Sequence, residues 1–143
     1  MLDRQLPVEF SQVLQRKDQA LIELYLDLRV FVLELHPDAN ELLYHTHALT
    51  SVYSISEKLG DAFCMIPIYT AHLNLGFNKG TLLKDPHKLL HGTGNLIRLI
   101  GKDGQWFTSA NSISLWLKPS LLFPGRAAEA FPARQFLQPS REQ

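Results

Sequence analysis

Between Asp18 and His36 the chain repeats apolar side chains at the spacing of an α-helix, and this stretch constrains the fold more than any other. Leu21, Leu24, Tyr25, Leu28, Phe31, Val32 and Leu35 make one wide apolar face, too broad to be left in water, so the chain must supply a surface for it to pack against. Pro37 sets the end of the helix near His36, because it disfavours helical geometry in the residue before it and donates no hydrogen bond. A shorter helix is expected ahead of it from Val8 to Gln15, with Pro7 near its start. Behind it, Asp38-Ala39-Asn40-Glu41 has the form of a capping box, which predicts a second short helix over Ala39–Tyr44.

Past Tyr44 the period changes from helical to alternating. Val52, Tyr53 and Ile55 lie in a β-branched and aromatic run interleaved with serines, the pattern of a strand half exposed to water. Glu57–Asp61 reads as a turn. Ala62–Ile68 is apolar on both alternate sets and reads as a strand buried on both faces, with Pro67 placing its last residues at an edge or bend. Leu73, Leu75 and Phe77 then alternate with His72, Asn74 and Gly76, so one face packs and the other stays open. Asn78-Lys79-Gly80 predicts a hairpin turn leading into Thr81–Leu83. Asp85-Pro86 opens a short helix over His87–Leu90 closed by Gly92, Asn95–Ile100 is the expected final strand, and Ser109–Lys118 is a helix carrying Ile113, Trp116 and Leu117.

This order predicts an α+β fold: N-terminal helices and a C-terminal helix packed on a largely antiparallel sheet. Residues 1–123 form the expected domain. Residues 124–143, with Pro124, Pro132 and Pro139, read as a mobile or loosely docked tail whose Phe131 and Phe136 could clip onto their own domain or onto a second copy, which keeps a homodimer open. A chain of 143 residues is long enough to bury roughly 68–70% of its unfolded surface in one core. Its fourteen basic and fourteen acidic side chains cancel, leaving no net field to draw in nucleic acid or an anionic membrane. No run reaches the roughly 18 apolar residues of a membrane span, and a single cysteine, Cys64, makes no internal disulfide; both features suit the cytoplasm.

The order Tyr53, Phe63-Cys64, His72-Leu73-Asn74-Leu75-Gly76-Phe77, Lys79-Gly80, Leu82, Asp85-Pro86, Leu89-Leu90, Gly92-Thr93-Gly94 and Ile97-Arg98-Leu99-Ile100 resembles the YdhG-like family of small bacterial domains of unknown function. The resemblance covers roughly Asp18–Leu121. It implies a domain similar to frataxin, and one branch of that family is regarded as intracellular iron chaperones, so iron is the cargo that the resemblance implies.

Three sets of residues could carry binding chemistry. Glu23, Asp27 and Glu34 fall near one stripe of the long helix, with Asp38 and Glu41 at its end; hard iron ions accept carboxylate oxygens, although the solvated face of any amphipathic helix carries such acids too. His45 and His47, two residues apart, would stand on one side of an extended segment and suit zinc, iron, copper or nickel, while His72, His87 and His91 are candidates for a third ligand. His72, Asn74, Lys79 and Arg98 could line an open polar sheet face and hold a small anionic ligand or a protein partner, or else form a wet face paired with acids such as Asp85. No nucleophile elbow or phosphate loop is present, and Cys64 among apolar neighbours reads as an inert core thiol. The sequence thus favours a binding protein over an enzyme.

Overall fold

A computed structural model describes residues 4–45, 47–78 and 83, with the backbone of two further strands at 98–100 and 135–137. Two helices, α1 (Val8–Leu14) and α2 (Gln19–Leu35), precede the strands β1 (Asn40–His45), β2 (Leu49–Ser54), β3 (Ala62–Ile68), β4 (Leu75–Phe77), β5 (Arg98–Ile100) and β6 (Gln135–Leu137). The strands form one sheet in the order β5-β4-β3-β2-β1-β6. Successive pairs from β1 to β5 are antiparallel, and β6 joins β1 in parallel. This is an α+β fold with a largely antiparallel sheet. Among the described residues no helix is long and apolar enough to cross a membrane.

The long helix forms where its apolar spacing places it. Leu21, Ile22, Tyr25, Leu28, Val32 and Leu33 are buried and meet Leu43, Leu49, Tyr53, Cys64, Ile66, Leu75 and Phe77 from the sheet, with Phe10 and Leu14 of α1 completing the core. Leu35, expected on the packed face, is 41% exposed in the last turn, and Arg29 lies inside instead. The helix ends with the His36 N–H donating to the Val32 carbonyl at 2.9 Å, one residue before Pro37.

Two local expectations give way to the sheet. The segment expected as a helix over Ala39–Tyr44 is strand β1. Asp38 caps nothing there; the Ala39 N–H donates to the His36 carbonyl in a tight turn, and Asn40 onward pairs with β2 from Ser54 back to Leu49. The carboxylate that completes the capping pattern, Glu41, is drawn into the core by Arg29. Strand β2 is not half exposed: it lies between β1 and β3, and apart from half-buried Thr50 all its residues are buried. Its serines have partners, Ser51 with the Tyr25 hydroxyl and Ser54 Oγ donating to the Lys58 carbonyl at 2.8 Å.

The turn after β2 is ordered by its own side chains. Ser56 Oγ donates to Asp61 Oδ2 at 2.6 Å, and a 3₁₀ turn at Leu59–Asp61 leads into β3. Strand β3 is interior, as its two-sided apolar pattern predicts, and carries a bulge between its pairings with Tyr53 and Ser54. Pro67 is accommodated there without an edge. It stands opposite Thr50 on one side, and on the other its carbonyl accepts the Asn74 N–H at 3.1 Å, where the β3–β4 ladder is reduced to the Met65–Gly76 pair and an isolated Ile68–Leu73 bridge. Missing one donor costs little at such a gap.

Strand β5, within the segment expected as the final strand, is followed in sequence by β6, supplied by the segment read as a tail. The predicted hairpin at Lys79-Gly80 and the helices at His87–Leu90 and Ser109–Lys118 lie outside the described residues.

Candidate functional site

Beneath α2 the core holds a polar cluster. Tyr25 and Arg29 are one helical turn apart on the inner stripe of α2, and Glu41 and Tyr53 are register partners on β1 and β2, so all four side chains meet on one face of the sheet. Arg29 grips Glu41 with both arms of its fork, Nε to Oε2 at 2.8 Å and Nη2 to Oε1 at 3.0 Å. Tyr53 donates its hydroxyl to the same Oε2 at 2.9 Å, and Tyr25 shares a hydrogen bond with Ser51. Arg29 is 4% exposed, and Glu41 and both tyrosines are fully buried.

Burial and the Glu41 charge act on the arginine and the two phenols around it. Burial alone would lower the Arg29 pKa, but the bond to Glu41 and its negative charge outweigh burial and raise it. Burial, reinforced by the Glu41 charge, pushes both phenols upward, Tyr53 well above its ordinary value. Burial likewise raises the Cys64 thiol, as its apolar neighbours imply. Both Glu41 oxygens are engaged by Arg29 and Tyr53, so this carboxylate anchors α2 to the sheet.

A second grouping lies at one end of the sheet. His45 ends β1 opposite Leu49, Leu49 pairs with Ile68 at the end of β3, and Ile68 bridges to Leu73. The β1–β2 turn and the β3–β4 connection therefore emerge side by side, two strand spacings or roughly 10 Å apart. The first carries His45 and His47 and the second Tyr69 and His72, and all three histidines are exposed. The Tyr69 N–H donates to the His72 carbonyl at 2.7 Å, closing the connection so that their rings stack with centroids 4.7 Å apart. Adjacent hairpins of a meander thus place three imidazoles and a phenol, up to 27 positions apart in sequence, at the same end of the sheet. Among the described residues no group of three or more histidine, cysteine, aspartate or glutamate side chains is drawn close enough to form a preassembled metal site.

The remaining candidates are dispersed. Glu23, Asp27 and Glu34 are exposed on the outer side of α2, and Gln19 Nε2 donates to Glu23 Oε1 at 3.4 Å. Asp38 is exposed, but Glu41, read with it as the end of an acidic ridge, is fully buried against Arg29. Asn74 is half-buried beside exposed His72. The backbone register sets position 98 opposite Phe77 and position 99 opposite Gly76, so position 98 does not share the pleat side of Asn74. Lys79, His87 and His91 lie outside the described residues. Sequence reasoning missed the buried cluster, whose one signal was an arginine on the apolar side of the helix pattern.

Compared with known proteins, the chain matches no family model, no curated protein and no solved structure.

Proposed function

We propose that this chain is a binding protein, without catalytic chemistry of its own, that handles a metal ion through the histidine-bearing end of its sheet. The observation that carries this reading is that His45 and His47 on one turn and His72 on the neighbouring connection are all exposed at the same end of the meander. Exposed imidazoles are ligands for zinc, iron, copper or nickel. Because the three are not preassembled, binding has to draw the turns together and leave open positions for water or for a recipient's ligand, as suits a carrier more than a structural site. Helices packed on one face of an antiparallel sheet agree with the YdhG-like, frataxin-like assignment, and iron is the cargo that assignment suggests.

Calorimetric titration with Zn(II), and with Fe(II) under anaerobic conditions, tests the proposal. Saturable binding that is lost in a His45→Ala/His47→Ala variant and retained in a Glu23→Gln/Asp27→Asn/Glu34→Gln variant is expected. Binding that survives removal of the histidines and disappears with the helix acids would move the site to the α2 ridge.

A further inference from the structure

The buried cluster approaches the surface at Arg4. Tyr25, Arg29, Glu41, Ser51 and Tyr53 are all buried, whereas Arg4, in the non-helical segment ahead of α1, is half-buried. Arg4 closes the cluster from two directions. Its backbone carbonyl accepts a hydrogen bond from Arg29 Nη2 at 2.9 Å. Its own guanidinium reaches across to the loop between α2 and β1, with Nη1 donating to the Ala39 carbonyl at 2.8 Å and Nη2 to the Pro37 carbonyl at 2.9 Å. One residue therefore ties the chain start to the α2–β1 loop and supplies an acceptor for the buried arginine.

We propose that the segment from Arg4 to Pro7 is a detachable strap, a conformational device that seals the Arg29–Glu41–Tyr53 cluster and opens without unfolding the sheet. Its hold is local and polar. Three hydrogen bonds of Arg4 fasten its start, Leu6 packs against the core, and half-buried Pro7 is its hinge, its carbonyl accepting the Ser11 N–H at 3.0 Å in the first turn of α1; α1 itself is anchored separately by Phe10 and Leu14. The sheet beneath is held by the β1–β2 and β2–β3 ladders, in which Arg4 takes no part. Segments with few apolar contacts and solvent-facing hydrogen bonds open at lower free energy than core strands. Lifting this one removes the Arg4 carbonyl from Arg29 and admits water to an ion pair that is otherwise dry. Burial lowers the Arg4 pKa and the Glu41 charge opposes that shift, so the strap's own charge is coupled to the pair it covers.

Native-state hydrogen exchange on the full chain, read by NMR at the Arg29 Nε–H and at the β3 amides of Cys64 and Ile66, tests this directly. The strap predicts that Arg29 Nε–H exchanges faster than the β3 amides and with little dependence on denaturant. In Arg4→Ala the Arg29 Nε–H exchange should accelerate by about tenfold or more, the factor that one to two net hydrogen bonds represent, with the β3 amides little changed. Arg4→Lys, which keeps the charge but loses the fork, should behave as Arg4→Ala does. Exchange at Arg29 that tracks the β3 amides in the unaltered protein would overturn the proposal, and that measurement requires no variant to fold. Equal acceleration at both sites in Arg4→Ala would overturn it as well, because the residue would then stabilise the whole fold.

Discussion

Replacing Glu41 by glutamine should be among the most damaging single changes to the core, although it alters the side chain's shape hardly at all. The Arg29 side chain is 5% exposed and that of Glu41 is fully buried, so Glu41→Gln leaves a guanidinium charged and dry with only neutral acceptors. Breaking a buried pair from one side costs about 3–5 kcal/mol, a large part of the roughly 5–15 kcal/mol that stabilises a typical domain. With a urea m-value of about 1–3 kcal/mol/M, the midpoint should fall by about 1 M or more at unchanged slope. The cost belongs to the orphaned charge more than to the pair itself. Arg29→Met, Glu41→Leu and Tyr53→Phe together remove the ion pair and the hydroxyl bonded to it while Tyr25 and Ser51 keep each other as partners, and this triple variant should return close to the original stability. Urea unfolding followed by circular dichroism measures both. A loss below about 1 kcal/mol in Glu41→Gln, or a triple variant as unstable as the single one, would refute the reasoning, since a solvated or expendable pair would be the only account left.

Other consequences follow from the same geometry. Tyr53→Phe removes a hydrogen bond to Glu41 and leaves the Arg29 fork intact, so it should cost only about 0.5–1.5 kcal/mol in the same unfolding assay, or somewhat more because the acceptor is charged. Tyr25 and Tyr53 have folded pKa values raised above the ordinary phenol value. The unfolded chain therefore loses those protons first, and their contribution, complete below about pH 10, is lost as pH rises beyond it, by up to about 1.4 kcal/mol per pH unit for each phenol. Phenolate absorbance should show two of the four tyrosines ionising only with unfolding. Cys64 is buried with its thiol pKa raised, so a thiol-specific reagent should label it at the rate of global unfolding; rapid labelling of native protein would contradict its placement.

The α2 helix was legible because apolar spacing and a following proline act locally, and they gave its end correctly without reference to the rest of the chain. Strand β3 was legible for a similar reason, since apolar residues on both alternate sets demand cover on both faces. Strand β1 was not. Asp38 and Glu41 satisfy a local capping pattern, and what overrides it is a partner twelve residues back, Arg29, which lies outside any window of neighbours. The serines of β2 misled in the same way: a hydroxyl looks exposed until Tyr25, on another element, is seen to bond Ser51. Of the candidate sites, the spacing of His45 and His47 was visible in the sequence. Their placement at the same end of the sheet as His72 follows from strand order and register, which no single stretch encodes, and the same register sets position 98 opposite Phe77 and away from the pleat side of Asn74.

Metal binding at the histidine end of the sheet is open to an amide chemical-shift titration with Zn(II), repeated anaerobically with Fe(II). Binding there should give saturable shifts confined to residues 45–49 and 69–74, the two turns that carry His45, His47 and His72. Shifts concentrated along α2 around Glu23, Asp27 and Glu34, or no saturable shift at either place, would contradict it.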